Sequence, residues 1–471
     1  MIRHEDNYIA GEWVRAGGDE FRQLVNPATE EVYAEVRRGT PEDVDTAVQA
    51  AKTAFADWSF SDIEERARVL RATADAMESA ADEVTNSIVR EIGQPVSWAQ
   101  RASTATTIRD LRNFADGIAE VQWEERIGDA RIRRLPAGIV GAIGAWNGPI
   151  RSVTLKVGAA IAAGCTVVLK PSEVAPLTPL LLARFTEAAG LPRGVLNIVG
   201  GSGSVVGEAI VAHPDVDMVS ITGSVGAGAR VMGVAAKRVK RVALELGGKS
   251  ANVILEDADL VEAIESGIQD AFRNSGQACG ALTRILVPRD RLAEAEAIAA
   301  AKADSFVVGD PTDPVTDLGP LANLDQYESV RGHISRALDD GVRLITGGLD
   351  RPDGLERGYY VRPTVFSGTN QDRISREEVF GPVVVIIPFD DEADAVAIAN
   401  DSDFGLAGGV WAADREHARA VASRIRTGRV RINGTPIDMR APHGGLKLSG
   451  IGREMGHHGI EDFLEFQALH G

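Results

Sequence analysis

Short apolar runs alternate with helical patterns from Ile139 onward, and this alternation constrains the fold more than any other feature of the sequence. Strands that are joined through helices run parallel and become covered on both faces. The pattern therefore predicts a doubly wound parallel sheet, which binds ligands beyond the carboxyl ends of its strands. The predicted strands are 139–145, 166–169, 195–199, 218–221 and 242–246, and the helices between them are 149–163, 178–189, 204–212 and 226–236.

Two further parts of the chain have patterns of their own. A second series of strands and helices begins after Gly247-Gly248-Lys249 and predicts a second α/β unit. Ahead of the first series, Thr40-Pro41 has the residues of a helix start. Residues 122–135 have the pattern of a polar hairpin around Gly128-Asp129. Such a hairpin either pairs with another subunit or is a plain surface excursion, and the residues leave both interpretations open.

The composition disfavours several classes of protein. The chain has 471 residues, enough for roughly two or three domains. Its net charge of −18 disfavours nucleic acid or an anionic membrane as a partner. Two cysteines cannot form a disulfide framework, which favours a reducing compartment. The charged start does not resemble a secretory signal, and the longest apolar stretch, 157–169, is too short to span a bilayer. We therefore expect a soluble cytoplasmic protein.

One thiol stands between two glycines, in the segment Asn274-Ser275-Gly276-Gln277-Ala278-Cys279-Gly280. Flanking glycines let the backbone approach a ligand closely and leave the sulfur unshielded. Cys279 is therefore a candidate nucleophile. Most free cysteines are buried core residues instead, and the segment alone leaves both roles open, because thiol reactivity depends on the neighbouring groups.

Polar and small residues follow the predicted strands of the first unit. Asn147 follows the first strand, where its amide can donate to an oxyanion or simply cap the next helix. Lys170 and Glu173 follow the second strand and suit a ribose. The segments 200–203 and 222–224 place free N–H groups at helix starts, a setting suited to phosphate. A standard G-x-G-x-x-G fingerprint is absent, so each loop alone is weak evidence for a nucleotide site.

Two carboxylates adjoin apolar strands. Glu245 lies at the end of the strand 242–246, where an ionised group is costly without a purpose. Glu378, in the segment 377–382, stands just ahead of another apolar strand. Both residues are therefore candidates for a functional site.

Together these segments resemble the aldehyde dehydrogenase superfamily. The segment 244–249 with Glu245 and the segment 276–279 with Cys279 have the motif residues of that family, and 34 residues separate Glu245 from Cys279. The resemblance covers essentially the whole chain, in the order of the family. The other matching segments are 136–141, 145–147, 170–173, 222–224, 378–382, 444–445 and 452–454.

The resemblance implies oxidation of an aldehyde or semialdehyde to the carboxylic acid. Cys279 would add to the carbonyl carbon, and the thiohemiacetal would lose hydride to NAD(P)+ and leave a thioester that water opens. The Asn147 amide and the Cys279 backbone N–H would hold the oxyanion. Glu245 would activate the water or help to deprotonate the thiol, and Lys156 and Glu454 would pass the proton to bulk solvent.

The resemblance also implies an NAD site. Lys170 and Glu173 would contact the adenosine ribose, Ser224 the pyrophosphate, and Glu378 with Phe380 the nicotinamide ribose and ring. Glu173 favours NAD, because a carboxylate there would repel the 2′-phosphate of NADP, although NADP stays an alternative. The other implied cofactor contacts are Trp146, Ser172, Gly203, Gly223 and Leu246.

The family architecture implies three parts and a homodimer or homotetramer. Residues 1–121 and 136–246 would form a doubly wound NAD-binding domain, and 247–448 an α/β catalytic domain. Residues 122–135 and 459–471 would form a small β element for oligomerisation.

Several residues depart from the common family pattern. Many members have an aromatic residue where this chain has Gly148, and a phenylalanine where it has His443. Arg151 stands where aromatic or larger apolar residues are frequent, and Gly280 follows the nucleophile without a side chain. These differences predict a wider and more polar substrate entrance. For His443, a loop position that faces the surface is the alternative.

Other readings of the same residues are an enzyme that passes its acyl group to coenzyme A and a non-catalytic NAD-binding relative. A non-catalytic protein would have no use for Cys279, Glu245 and Asn147 together, and a thiol esterase would leave the predicted cofactor residues unexplained. Cys165 precedes a buried strand and is expected in the core. His457-His458 lie far in sequence from a matching carboxylate cluster, so no metal is expected.

Overall fold

Two large β-sheets form the centre of the molecule, and the computed structural model describes the whole chain, residues 1–471. The first sheet has five parallel central strands, whereas its edge strands are antiparallel. The alternation of strands and helices therefore correctly predicted the parallel centre, whereas the two-residue edge strand Gly450–Ile451 gave no comparable signal. In spatial order the strands are Gly450–Ile451, Arg241–Glu245, Met218–Thr222, Ile139–Ile143, Thr166–Lys170, Leu196–Ile198, Asp6–Ile9 and Glu12–Arg15.

The second sheet has seven strands and confirms the second α/β unit. Six of them run parallel, and the edge strand Arg343–Thr346 is antiparallel to its neighbour. In spatial order the strands are Arg343–Thr346, Thr364–Ser367, Val383–Phe389, Arg284–Pro288, Ala251–Ile254, Ala407–Trp411 and Arg429–Ile432. Most central strands of both sheets are buried on both faces, which explains why they read as continuous apolar runs rather than alternating ones.

The predicted hairpin forms as two antiparallel strands, Glu124–Ile127 and Ala130–Pro136. The C-terminal strand Leu464–His470 pairs antiparallel with the second of them and completes a three-stranded sheet. Two smaller sheets are formed by Ile2–His4, Glu31–Arg37 and Phe21–Asn26, and by Phe404–Gly405 and Leu446–Lys447. The first large sheet also takes in Gly450–Ile451, which lies outside the ranges predicted for the NAD-binding domain. The division into domains stays a prediction.

Helices cover both large sheets. Thr40 begins the first of them with a capping box, because its hydroxyl accepts from the Asp43 N–H and the Asp43 carboxylate accepts from the Thr40 N–H at 2.8 Å. No helix is both long and apolar enough to cross a membrane. The α-helices are Pro41–Trp58, Ile63–Ser79, Ala81–Ile92, Val96–Trp98, Ala105–Gly117, Pro149–Ala163, Leu177–Ala188, Glu208–Ala212, Val225–Ala235, Leu260–Phe272, Leu292–Asp304, Leu324–Asp339, Arg373–Arg376, Glu392–Asn400, Arg415–Ala422 and Gly456–Glu461.

Candidate active site

A cavity of about 810 Å³ opens beyond the carboxyl ends of the first sheet and is closed on its other side by the second α/β unit. Its position is the one expected for a ligand site on a doubly wound sheet, and its volume suits a ligand of cofactor size. Three of the predicted catalytic residues line this cavity, namely Cys279, Glu245 and Asn147. The predicted cofactor residues that line it are Trp146, Ser172, Gly203, Gly223, Ser224, Leu246, Glu378 and Phe380.

Four predicted residues lie outside the lining of the cavity. Lys170 is buried, its Nζ donates to the Pro171 carbonyl at 2.7 Å, and burial lowers its pKa to about 8. Glu173 is partly exposed and contacts the Arg38 guanidinium at 3.4 Å. Lys156 and Glu454 form a buried ion pair at 2.6 Å, next to Glu245 in the interior rather than in the cavity wall.

The segment around the nucleophile adopts a left-handed turn. Asn274, Ser275 and Gly276 have φ values of 53°, 54° and 74°, a conformation that costs energy for residues with a Cβ. A Cβ at Gly276 would collide with the Gly381 carbonyl group. Hydrogen bonds hold the turn, because the Asn274 amide donates to the Gln277 carbonyl at 3.1 Å. The glycine before Cys279 is therefore required by close packing against the 377–382 segment.

The Asn147 side chain points to the nucleophile segment rather than capping the helix that follows. Gly148 is the N-cap of Pro149–Ala163, and no side chain caps that helix. Asn147 Nδ2 donates to the Gln277 carbonyl at 3.1 Å. An amide nitrogen carries two donors, so the second N–H is available to a ligand oxygen. The observed geometry thus disagrees with the interpretation of Asn147 as an ordinary helix cap.

Cys279 is a partly exposed residue, and its thiol lies among charged groups of both signs. Burial is the largest influence on it and raises its pKa, the Glu378 carboxylate raises the pKa further, and the Arg429 guanidinium opposes both. Cys165, by contrast, is fully buried in the hydrophobic core, as predicted, and burial raises its pKa to about 11.

Glu245 is a buried carboxylate without a hydrogen-bond partner. Its residue is 5% exposed, and neither Oε1 nor Oε2 receives a hydrogen bond. Burial raises its pKa well above the usual value, Glu454 adds to this effect, and Lys156 opposes it. A raised pKa makes this carboxylate a stronger base than a solvated glutamate, as a general base requires.

Glu378 and Phe380 reach the cavity from the second α/β unit. The Gly248 N–H donates to Glu378 Oε1 at 2.9 Å, and burial raises the pKa of Glu378 to about 7. A Cβ at Gly247 would collide with the same carboxylate, which explains the glycine pair after Glu245. The Phe380 ring packs edge to face on Trp146, with ring centroids 5.4 Å apart.

The structure adds a cationic group that sequence reasoning missed. Arg429 lies beside the nucleophile segment, and a Cβ at Gly280 would come within 2.6 Å of its Nη2. Its Nη1 donates to His443 Nδ1 at 3.1 Å, and Arg429 forms no ion pair with a carboxylate. The His443 side chain is 13% exposed and faces Glu245, so the surface-facing alternative is wrong. The unusual His443 and the side-chain-free Gly280 were the sequence signals for this arrangement.

A group of histidines and glutamates lies on the surface near the C-terminus, contrary to the prediction that His457-His458 lack matching carboxylates. The helix Gly456–Glu461 brings Glu461 beside His458, at 3.2 Å, and Glu120 approaches His457 to 3.0 Å from a distant part of the chain. The expectation of no metal stays a prediction.

Comparisons with known proteins agree with this geometry. Residues 13–469 match the model of the aldehyde dehydrogenase family. A 3-succinoylsemialdehyde-pyridine dehydrogenase from Pseudomonas sp. is 46% identical, with 100% of this chain and 99% of the relative covered.

Solved structures are similar to this chain over almost their full length. A variant of aldehyde dehydrogenase C from Pseudomonas syringae, complexed with NAD+ and octanal, has a TM-score of 0.98 and 47% identity, with 99% and 96% of the two chains covered. A Mycobacterium tuberculosis aldehyde dehydrogenase complexed with NAD+ has a TM-score of 0.97 and 39% identity, with 100% and 98% covered. The chain is therefore an oxidoreductase that belongs to the aldehyde dehydrogenase family.

Proposed function

We propose that this protein oxidises an aldehyde or semialdehyde to the carboxylic acid with NAD+, through a thioester on Cys279. The observation that carries this proposal is the common cavity of Cys279, Glu245, Asn147 and the cofactor-site residues Glu378 and Phe380. A thiol, a buried carboxylate and an amide donor around one space are the groups that nucleophilic acyl chemistry needs.

Each catalytic group has a defined part in the reaction. The Cys279 thiolate forms a bond to the aldehyde carbon, and the carbonyl oxygen becomes an oxyanion that the Asn147 amide and the Cys279 backbone N–H stabilise. After oxidation, water attacks the thioester carbon while Glu245 takes the proton of the water, and the C–S bond breaks. Lys156 and Glu454, paired at 2.6 Å behind Glu245, carry that proton away.

The residues of the cavity fit NAD. Its nicotinamide, when bound, accepts the hydride that leaves the substrate carbon. Glu378 uses Oε1 to accept from Gly248, which leaves Oε2 for a ribose hydroxyl. Ser224 caps the helix Val225–Ala235, whose first N–H groups suit the pyrophosphate. Lys170, the last residue of the strand Thr166–Lys170, and Glu173, just beyond it, would hold the adenosine ribose, and Glu173 favours NAD over NADP.

Charged groups beside the nucleophile support a substrate entrance that is more polar than an aliphatic pocket. Arg429 and Arg273 lie close enough to Cys279 to lower the pKa of its thiol, and Arg273 is paired with Asp270. His443 contacts Arg429. A relative of this chain is named for a semialdehyde that carries a pyridine ring, and another structure holds octanal. We infer that this chain accepts medium-length aldehydes with an oxygen or ring substituent beyond the reacting carbon.

The test is NADH formation by the purified protein with a panel of aliphatic, aromatic and semialdehyde substrates. We expect turnover in the wild type and loss of at least about a thousandfold in Cys279→Ala, because covalent catalysis disappears. Cys165→Ala removes the other thiol of the chain and should keep the activity. Undiminished turnover in Cys279→Ala would eliminate the mechanism.

Product analysis separates hydrolysis from transfer to coenzyme A. Because Glu245 lies buried at the cavity, we expect the free carboxylic acid as the product with or without coenzyme A. An acyl-coenzyme A product with little acid would contradict the hydrolytic step and leave the oxidation intact.

We further infer a cytoplasmic homodimer or homotetramer. Neither cysteine is in a disulfide, which supports a reducing compartment. The three-stranded sheet of the hairpin and the C-terminal strand presents Ile127 and Phe466 with 65% and 67% exposure. Large exposed apolar side chains on such an element support a role in subunit contact.

A further inference from the structure

We propose that His443 is a positioning residue for Glu245, held in one tautomer by Arg429, and that this pair aligns the carboxylate for hydrolysis of the thioester. The inference deepens the proposed function and rests on it. It concerns a position where many family members have phenylalanine, which cannot donate a hydrogen bond.

Main-chain hydrogen bonds fix the position of the His443 backbone, and therefore the point from which its side chain extends. The His443 N–H donates to the Glu454 carbonyl at 2.8 Å, and the Glu454 N–H donates to the His443 carbonyl at 2.7 Å. The strand Arg241–Glu245 pairs with Gly450–Ile451 in the loop between these two residues. His443, Glu454 and Glu245 are thereby brought to one point by main-chain hydrogen bonds, independently of their side chains.

The contact with Arg429 determines the tautomer. A guanidinium has only donors, so Nη1 must donate to His443 Nδ1 across the observed 3.1 Å. Nδ1 is therefore an acceptor without a proton, and the neutral ring carries its proton on Nε2. Burial, followed by the nearby Arg429, lowers the pKa of His443 well below its usual value, so the ring stays neutral.

The protonated nitrogen faces the unpartnered carboxylate. His443 Nε2 lies 3.7 Å from Glu245 Oε2, about 0.7 Å beyond an ordinary hydrogen bond. Such contacts are commonly long before the substrate binds and tighten in the reacting complex. Oε1 lies against Gly444, where a Cβ would come within 2.8 Å. A donation from Nε2 to Oε2 leaves Oε1 to receive the proton of the attacking water.

The hydrogen bond that we propose to form when this contact tightens would have a defined effect on the pH dependence. A donor stabilises the ionised carboxylate and lowers its pKa, against the raising effect of burial. Besides His443 itself, the charged or titratable groups around Glu245 are Glu454, Lys156, Arg453, Asp462 and Cys279. Those around His443 are Glu245, Arg429, Arg151, Lys156 and Arg273. All of these remain when only His443 is replaced, so the difference between wild type and variant isolates the ring nitrogen.

The test follows hydrolysis of the acetyl enzyme that p-nitrophenyl acetate forms on Cys279, without cofactor, across a pH series. In wild type the rate should rise with pH as Glu245 ionises. In His443→Phe we expect the pH at which the rate rises to be higher by about one unit or more. At pH values below this rise, hydrolysis should be on the order of ten times slower than in wild type. His443→Gln, whose amide can accept from Arg429 and donate to Glu245, should restore most of the wild-type profile.

Control variants distinguish a positioning role of His443 from a general structural effect of its replacement. His417→Phe, at an exposed position of the helix Arg415–Ala422, should leave the profile unchanged. An unmoved profile in His443→Phe, or a loss that is equal at every pH and not restored by glutamine, would overturn the inference. If the hydrolysis rate of Glu245→Gln still rises with pH as in wild type, the proposed role of Glu245 is wrong as well. If Glu245→Gln loses this rise, an unmoved profile in His443→Phe contradicts only the role of His443.

Discussion

Two carboxylates, Glu245 and Glu378, line the cavity beside the nucleophile. Burial raises the pKa of Glu378 to about 7 and raises that of Glu245 well above the usual value. A raised pKa makes a carboxylate a stronger base than a fully solvated glutamate, which suits the proposed role of Glu245. Both carboxylates are also close enough to Cys279 to raise the pKa of its thiol.

The thiol should therefore respond in opposite directions to two neighbouring substitutions. Glu378→Gln removes a negative charge, so the pKa of Cys279 should fall and alkylation should begin at lower pH. Arg429→Gln removes the opposing cation, so alkylation should begin at higher pH. The measurement is the rate of alkylation by iodoacetamide against pH, in the Cys165→Ala background. Shifts of the same sign in both variants would contradict this electrostatic account.

Some of these residues were predictable and others were not. Glu245 stood out because a charge at the end of an apolar strand is costly, and Cys279 because glycines flank it. The contacts of Arg429 with His443 and Gly280 are tertiary, between a strand of the second sheet and two separate loops. No periodicity or motif predicts such a contact, and only the unusual residues His443 and Gly280 indicated it.

At the scale of elements, the nucleophile segment packs so closely against its neighbour that only glycine fits at position 276. Gly276→Ala would place a Cβ against the Gly381 carbonyl group, at a φ of 74°. We expect kcat/KM to fall on the order of a hundredfold, because small displacements of the nucleophile are costly. Gly354→Ala is the matched control, since Gly354 has the same φ of 74° with nothing nearby. Equal activities of the two variants would show that close packing at Gly276 is unimportant.

The order of the strands along the chain was predictable at this scale, whereas the edge strand Gly450–Ile451 was not. Buried parallel strands produce long apolar runs, so the centre of the first sheet was recognisable from Ile139 onward. The strand Gly450–Ile451 has only two residues. It pairs with Arg241–Glu245, which lies about two hundred residues earlier in the sequence. So short a strand carries no periodicity to recognise.

At the scale of the whole molecule, the hairpin and the C-terminal strand are the proposed contact between subunits. Replacing both Ile127 and Phe466 by aspartate puts charges on the exposed apolar face of this sheet and should reduce the molar mass in solution toward that of one chain, 50.0 kDa. Light scattering after size exclusion measures this mass. Phe60→Asp, at an 82% exposed position away from the sheet, should leave it unchanged. Retention of the full mass in the double variant would place the contact elsewhere.

The covalent thioester on Cys279 is the central claim, and mass spectrometry of the Glu245→Gln variant tests it most directly. Without its base, this variant should oxidise the aldehyde once and then hydrolyse the thioester about a hundredfold to ten-thousandfold more slowly. Mixed with NAD+ and an aldehyde and quenched in acid, it should carry one acyl group, on the peptide that contains Cys279. Glu262→Gln, an exposed carboxylate, should turn over normally and accumulate little. One NADH formed per chain with Cys279 unmodified, or an acyl group on another residue, would contradict the account.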